Sequence, residues 1–206
     1  IARSIRELVK PDGHTMIPFM NYQNMSEEDL TAIISYLRTT EPVKKVVQEN
    51  TWNLMGKAVL TFFIKPKGPE GTPPNKVIPD TTIAYGKYLA TATANCNGCH
   101  TPFSMKTGLP TGPEFSGGNE FESATLEEGV FMITPNLTPD PETGRISGWT
   151  KDEFVKRFHD GKLFPESAMP WGPYKNFSDN DLKAIYAYLM SLPAVKNETV
   201  AGVIRK

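Results

Sequence analysis

One pentapeptide constrains this chain more than any other stretch, and it reads Cys96-Asn97-Gly98-Cys99-His100. Two cysteines three positions apart, followed directly by a histidine, are typical of a covalent attachment site for a c-type haem. The two thiols can add to the two vinyl groups of the porphyrin, and the adjacent imidazole can bind the iron. We therefore expect a haem attached at Cys96 and Cys99, with His100 as its proximal ligand.

Other roles for the two cysteines fit the sequence less well. A zinc ribbon needs a second pair of ligands, but the chain has 2 cysteines and its other histidines, His14 and His159, are isolated. A thioredoxin-like dithiol would follow a strand, whereas the residues before Cys96 have a helical pattern. A disulfide between Cys96 and Cys99 would close a very short loop and stabilise the fold little.

Length and composition narrow the class of protein further. A chain of 206 residues can form one large or two small domains. The formal charge of −1 argues against a nucleic-acid partner, which favours a basic surface. The 18 prolines and 16 glycines predict long irregular segments, which suit short helices around a cofactor that supplies part of the apolar core. The longest apolar run, residues 54–64, is too short to cross a membrane.

A sequence repeat relates the beginning of the chain to its end. Residues 22–30 (YQNMSEEDL) correspond to residues 174–182 (YKNFSDNDL), and the likeness continues to Leu37 and Leu189. Each copy has a serine suited to be a helix N-cap, an aspartate three residues later, and an apolar stripe at helical spacing. A repeated loop-and-helix unit predicts two related domains.

The two copies differ in what precedes them. The second follows the Cys96–His100 motif, whereas no cysteine precedes the first, and the chain begins at Ile1 inside a helical pattern. We therefore predict that residues 1–45 are the C-terminal half of a first, truncated domain; the alternative is a degenerate domain that has lost its haem. Residues 46–80, with a short helix and a proline-rich segment, are predicted to be a linker, and residues 81–206 a complete haem domain.

Three helices are predicted within the haem domain. One begins near Asp80 and continues into the haem motif, with Gly86 allowing a close approach to the last helix near Tyr188. A second begins at Thr150, which has a capping-box glutamate three residues later, and the third covers residues 179–192. Residues 101–149 are predicted to be mostly loop, and a loop of this length in a compact domain is expected to wrap a ligand.

The second axial ligand of the haem is predicted to be Met169. This methionine lies in Ser167-Ala168-Met169-Pro170-Trp171, a loop that Pro170 stiffens and the last helix anchors. A thioether stabilises ferrous iron and raises the reduction potential, which suits an electron carrier. Met105 lies too close in sequence to His100 to reach across the haem easily, and Met190 belongs to the last helix. Filling of the core by Met169, or ligation by His159 instead, remains an alternative.

Two further sets of residues are candidates for haem binding. Trp149 and the segment Thr134-Pro135-Asn136 are candidates for hydrogen bonds to the haem propionates, whose charges need partners where they are buried. In the first copy of the repeat, Met20 or Met16 would occupy the position of Met169 as a ligand of a second haem. Alignment of the tyrosines places neither of them at the equivalent position, so both stay open.

Together, these motifs make the chain resemble the bacterial class I c-type cytochromes. More narrowly, it is similar to the dihaem and multihaem cytochromes that accept electrons as subunits of periplasmic dehydrogenases or respiratory chains. The resemblance is carried by Cys96–His100, Ile133–Asp140, Gly148–Thr150, Met169–Trp171 and Tyr186–Leu189. It covers residues 81–197 as a whole domain and residues 1–45 as the second half of another.

The resemblance implies an all-α fold of three to five helices around the haem, preceded by half of a second cytochrome c-like domain. His100 and Met169 would be the axial ligands. One haem c is expected at Cys96 and Cys99, and a second only where the missing half of the first domain is present.

The resemblance also implies a function, which is electron transfer without substrate chemistry. The expected partners are redox proteins, namely a dehydrogenase, an oxidase or another cytochrome, in the periplasm or another extracytoplasmic space. Membrane association through a segment absent from this sequence stays open. The alternative is a haem enzyme or gas sensor with a displaceable sixth ligand, and the state of Met169 distinguishes the two.

Overall fold

The computed structural model describes residues 1–17, 22–48, 51–104 and 108–206. The chain divides into two compact units, Ile1–Val77 and Ile78–Lys206. Within the described ranges, no helix combines the length and the hydrophobicity that a membrane crossing requires.

The first unit contains helices α1 (Ala2–Glu7), α2 (Glu27–Thr39) and α3 (Leu54–Phe62). Helix α2 begins as the repeat predicts, because the Ser26 side chain accepts a hydrogen bond from the Asp29 backbone N–H at 3.1 Å. Its apolar stripe is only partly covered within the unit, since Leu30 is 5% exposed whereas Ile33 is 38% and Leu37 46% exposed.

Polar contacts hold the first unit together around the start of α2. The Arg6 guanidinium donates to the carbonyls of Gln23 and Met25 and pairs with Glu27 at 2.8 Å. The predicted linker also contacts this helix end, because the first two N–H groups of α2 donate to the carbonyls of Pro74 and Asn75. Both contacts satisfy helix-terminal or loop backbone groups that have no partner within the helix.

The second unit begins with the helices that carry the haem motif. Helix α4 (Ile83–Tyr88) continues through a π-helical turn (Leu89–Thr93) and is followed by α5 (Cys96–His100). The predicted start near Asp80 is shifted, because Thr82 is the N-cap and Asp80 instead accepts a hydrogen bond from the Thr82 N–H at 2.7 Å.

The C-terminal half of this unit contains α6 (Lys151–His159), α7 (Trp171–Tyr174) and α8 (Asp179–Met190). Capping boxes begin two of these helices, at Thr150 for α6 and at Ser178 for α8, as the sequence predicts. Gly161, in the left-handed region at φ +70°, follows the end of α6.

Helices α4 and α8 cross in direct backbone contact, which places the haem motif on the core. A Cβ atom at Gly86 would overlap the carbonyl of Ala184 and lie 3.0 Å from the Cβ of Tyr188. Leu182, Ile185 and Leu189 of α8 are at most 1% exposed at this crossing and form part of the main core. The predicted crossing near Tyr188 is therefore confirmed.

The all-α prediction needs one correction, because the second unit contains a small antiparallel sheet. Its order is β1-β2-β3, with strands β1 (Glu120–Glu122), β2 (Val130–Ile133) and β3 (Gly202–Arg205). Phe121 pairs with Met132, and Phe131 pairs with Ile204 near the end of the chain. Strands β2 and β3 lack the alternating pattern of a half-buried strand, and β1 alternates over three residues only, which is too short to predict a strand.

Candidate functional site

Helix α5 holds both cysteines of the motif on one turn. Asn95, in the left-handed conformation at φ 52°, breaks the preceding helix and redirects the chain into Cys96. The two thiols are not joined to each other; Cys96 is half-buried and Cys99 is exposed. Both are therefore available for thioether bonds on the same turn of helix.

The protonation of the two thiols argues against a redox-active dithiol. Burial, and secondarily the neighbouring Cys99, raises the pKa of Cys96 to about 12, and burial also raises the pKa of Cys99. A dithiol that exchanges disulfides needs the opposite, a lowered pKa that maintains a thiolate.

His100 is oriented as an iron ligand requires. Its side chain lies close to the core, at 8% exposure, and its Nδ1 is 3.0 Å from the carbonyl oxygen of Pro135. A proton on Nδ1 that is donated to this carbonyl leaves the lone pair of Nε2 available for a metal. Burial lowers the pKa of His100 despite the Pro135 hydrogen bond, and a neutral imidazole is the form that binds iron.

Asn119 and Gly117, for which the sequence predicted no role, fix the backbone around His100 by hydrogen bonds. The Asn119 amide donates to the carbonyls of Cys99 and Thr101 at 2.8 and 2.7 Å. The Gly117 N–H donates to the His100 carbonyl at 2.7 Å, and a Cβ at this position would lie 2.5 Å from the backbone N of Asn136. Gly117 has φ +74°, so glycine satisfies both its conformation and the close approach.

The Met169 loop packs against the same core. Met169 is half-buried and contacts the cluster that includes Phe158 and Leu182. Its carbonyl accepts the Trp171 N–H at 2.8 Å, and the Trp171 indole donates to Ser167 at 2.9 Å. The Arg157 guanidinium lies 3.7 Å from the centre of a Trp171 ring, which adds a cation–π contact. The loop is therefore fixed on both sides of Met169.

The residues predicted to bind the haem propionates, namely Pro135, Asn136 and Trp149, differ in the contacts that they make within the protein. Pro135 contributes its carbonyl to His100 and has no N–H to donate. Both amide protons of Asn136 are used within the protein, by the Thr143 hydroxyl at 2.9 Å and the Val195 carbonyl at 2.8 Å. Asn136 therefore fixes a loop. Trp149 lines a shallow cavity of about 210 Å³ against α6, and its propionate role stays a prediction.

The remaining ligand candidates are only partly described. Met20 and Met105 lie outside the described residues, while Met16 is half-buried and its N–H donates to the Leu8 carbonyl at 2.7 Å. His159 has both ring nitrogens occupied, Nδ1 by the Lys175 carbonyl and Nε2 by Asp179, each at 2.9 Å. A histidine with two acceptors is favoured as imidazolium, which has no lone pair for iron.

The donor set fits a c-type haem. Two unjoined thiols on one helical turn, a buried imidazole hydrogen-bonded through Nδ1, and a thioether packed, like Cys96, against the hydrophobic core are the groups that such a haem requires.

Comparison with known proteins identifies the family of the chain. Residues 82–189, just over half of the chain, match the family described as cytochrome c oxidase, cbb3-type, subunit III. The chain belongs to this cytochrome c family. Electron transfer by a c-type haem is the function that this family membership supports.

Relatives of this cytochrome are themselves described as cytochrome subunits. The chain is 29% identical over 216 residues to the cytochrome c subunit of a quinone alcohol dehydrogenase from Gluconacetobacter polyoxogenes, covering 93% of this chain and 43% of that protein. It is 38% identical over 117 residues to the gluconate 2-dehydrogenase cytochrome c subunit of Pantoea cypripedii, covering 54% and 23%. The chain thus spans less than half the length of these relatives.

Proposed function

We propose that one haem c is bound through thioether bonds to Cys96 and Cys99, with His100 Nε2 and Met169 Sδ as axial ligands. The observation that carries this proposal is the His100 imidazole, which is buried beside the two thiols and directed by the Pro135 carbonyl at 3.0 Å. Placement of the Met169 loop on the same core supports the second ligand.

The chain's own residues would keep this site ready for outer-sphere electron transfer. The bound haem supplies a one-electron ferric/ferrous couple. His100 is held in one tautomer and Met169 in a braced loop, so both ligands can stay in place in either oxidation state and little reorganisation is needed. Packing of Phe115 and Tyr188 edge to face, with ring centres 5.8 Å apart, closes the core behind the motif.

The whole protein is proposed to be an electron-accepting subunit that works with a dehydrogenase outside the cytoplasm, or with an oxidase or another cytochrome. This is supported by relatives whose names place them as cytochrome subunits of alcohol, gluconate and fructose dehydrogenases. The likeness to the alcohol dehydrogenase subunit covers 93% of the chain and so includes both units.

The domain organisation is proposed from the repeat. Residues 1–45 would be equivalent to the second half of a cytochrome c-like domain, residues 46–80 a linker, and residues 81–206 the complete haem domain. Ser26 and Ser178 cap equivalent helices, which supports the relation between α2 and α8. Met16 or Met20 would be an axial ligand of a second haem, bound by the first domain.

Substitution of Met169 tests the ligand set. The variant Met169→Ala should keep the covalent haem but become high-spin and respond to carbon monoxide, because one axial position is opened. The control is Met190→Ala, which removes a half-buried methionine at the end of α8 and should leave the wild-type spectrum.

A wild-type spectrum in Met169→Ala would remove this residue as a ligand. A wild-type protein that already binds carbon monoxide at equilibrium would favour a haem enzyme or gas sensor over an electron carrier.

A further inference from the structure

An apolar groove opens beside the Met169 loop. It has a volume of about 680 Å³ and lies between strand β1, the turn that follows it, and Ala168. Its apolar lining consists of Phe121, Ala124, Leu126, Phe131 and Ala168. Leu126 at the turn is 80% exposed.

The hairpin that lines this groove is bonded to both ligand loops of the proposed haem. On the proximal side, Asn119 at the start of β1 donates to the Cys99 carbonyl at 2.8 Å. On the distal side, the Ala124 N–H donates to the Glu166 carbonyl at 2.9 Å, three residues before Met169. The groove therefore lies next to the two loops that carry the proposed haem ligands.

The hairpin that forms part of the rim of the groove is acidic. Between Lys106 and Arg145 the sequence has no lysine or arginine, and its carboxylates are Glu114, Glu120, Glu122, Glu127, Glu128, Asp140 and Glu142. Glu122, Glu127 and Glu128 of the hairpin are exposed, and none of the three pairs with a cation in the part of the chain that the structure describes. Among the described residues, the two cations next to the groove are already paired: Lys206 pairs with Glu120 at 2.7 Å and lies 5.1 Å from the centre of the Phe131 ring, and Arg205 pairs with Glu166 at 3.8 Å.

We propose that the β1–β2 hairpin is the docking surface for a redox protein whose electron-transfer face is basic. An apolar centre with a charged rim is the usual arrangement of a protein interface. Free carboxylates on the rim would steer a partner that presents lysines or arginines. A second copy of this chain would instead bring the same carboxylates face to face.

The inference rests on the proposed function, because it requires a haem between the two ligand loops. The exchange that docking permits is simple: one electron leaves the reduced centre of the partner, ferric iron becomes ferrous, and no bond or proton is transferred.

Removal of the three unpaired hairpin charges tests the proposal. The probe is a strongly basic mitochondrial-type cytochrome c, mixed with the holo-protein in stopped-flow experiments over a range of ionic strength. The variant Glu122→Gln/Glu127→Gln/Glu128→Gln should lower the second-order rate constant about tenfold at low salt and flatten its salt dependence. The matched control, Glu41→Gln/Glu70→Gln/Glu114→Gln, removes three exposed carboxylates outside the hairpin that likewise pair with no cation among the described residues, and it should change the rate less than about twofold.

Carbodiimide cross-linking gives a readout that does not depend on electron transfer. This reagent joins a carboxylate directly to a lysine in contact with it, so peptide mapping should find the hairpin glutamates joined to probe lysines. Equal rates in the hairpin and control variants, cross-links only at other carboxylates, or cross-linked homodimers would each overturn the docking proposal. A wild-type protein that has no haem, or that dithionite cannot reduce, would instead overturn the proposed function.

Discussion

Substitution of Gly86 by alanine should destabilise the haem domain, because it forces helices α4 and α8 apart. The added methyl group would overlap the Ala184 carbonyl and lie 3.0 Å from the Tyr188 Cβ, where ordinary contacts are 3.4–4 Å. The obstruction is backbone, so no side-chain rotation relieves it, and the helices must separate by roughly 1 Å or more in a core packed at crystal-like density.

The size of the effect follows from two opposing contributions. Overpacking of a core costs about 1–3 kcal/mol, and the backbone clash places Gly86→Ala near the upper end. Alanine recovers up to about 1 kcal/mol of helix propensity over glycine. The expected net loss is about 2 kcal/mol, which corresponds to a fall in Tm of roughly 5–15 °C for a domain of this size.

Thermal unfolding of the holo-protein, followed by circular dichroism, measures this loss. The matched control is Gly172→Ala in α7, where a Cβ atom would meet nothing within 4 Å. The control should be neutral or slightly stabilising, since only helix propensity changes. A Gly86→Ala protein with the Tm of wild type, or the same change in Tm for both variants, would refute the assignment of Gly86 as the contact point of the two helices.

Three further predictions concern contacts around the site. Asp179, bonded to the ring of His159, raises the pKa of that histidine, so this contact should stabilise the fold below the unfolded-state pKa of about 6.5 and lose its effect as pH rises through the raised folded-state pKa. The Tm difference between wild type and His159→Gln should therefore be largest near about pH 5.5 and should fall to zero by about pH 9. A difference that does not change with pH would contradict this prediction. Asn119→Ala should lower the free energy of unfolding by about 2–3 kcal/mol in denaturant titrations while haem stays attached, because two carbonyls lose their donor. Thr150→Ala removes a capping box and should cost about 1 kcal/mol in the same assay, whereas an unchanged midpoint would place α6 outside the cooperative unit.

Local signals predicted much of this fold, because their physical causes act over a few residues. The capping boxes at Thr150 and Ser178 each join residues three positions apart, and both helices begin where the sequence indicates. The close approach at Gly86 was also predictable, since a glycine inside an amphipathic helix indicates a neighbouring backbone.

Contacts between distant residues were not predictable in the same way. The pairing of Phe131 with Ile204 joins segments far apart in the sequence, and neither strand has an alternating pattern that would have indicated it. The Asn119 bridge to Cys99 depends on where the intervening loop places one amide. Its one signal in the sequence is position, as an asparagine directly after two glycines in a loop expected to wrap a ligand.

Pro135 shows how a candidate residue can contribute through its backbone rather than through its side chain. The sequence placed it among donors to a propionate, but a proline has no backbone N–H. The structure instead uses its carbonyl oxygen to orient His100. A backbone carbonyl has no signature in the sequence, so the role of the Pro135 oxygen is visible only in the structure.

The central claim is one covalently bound haem at the Cys96–His100 motif. It is tested most directly by counting haem per polypeptide, with an alkaline pyridine spectrum of the denatured protein alongside its intact mass. With 2 cysteines in the chain, the account predicts one haem, retained on denaturation and lost in Cys96→Ala/Cys99→Ala. A wild-type mass equal to that of the polypeptide alone, with no haem spectrum, would contradict it.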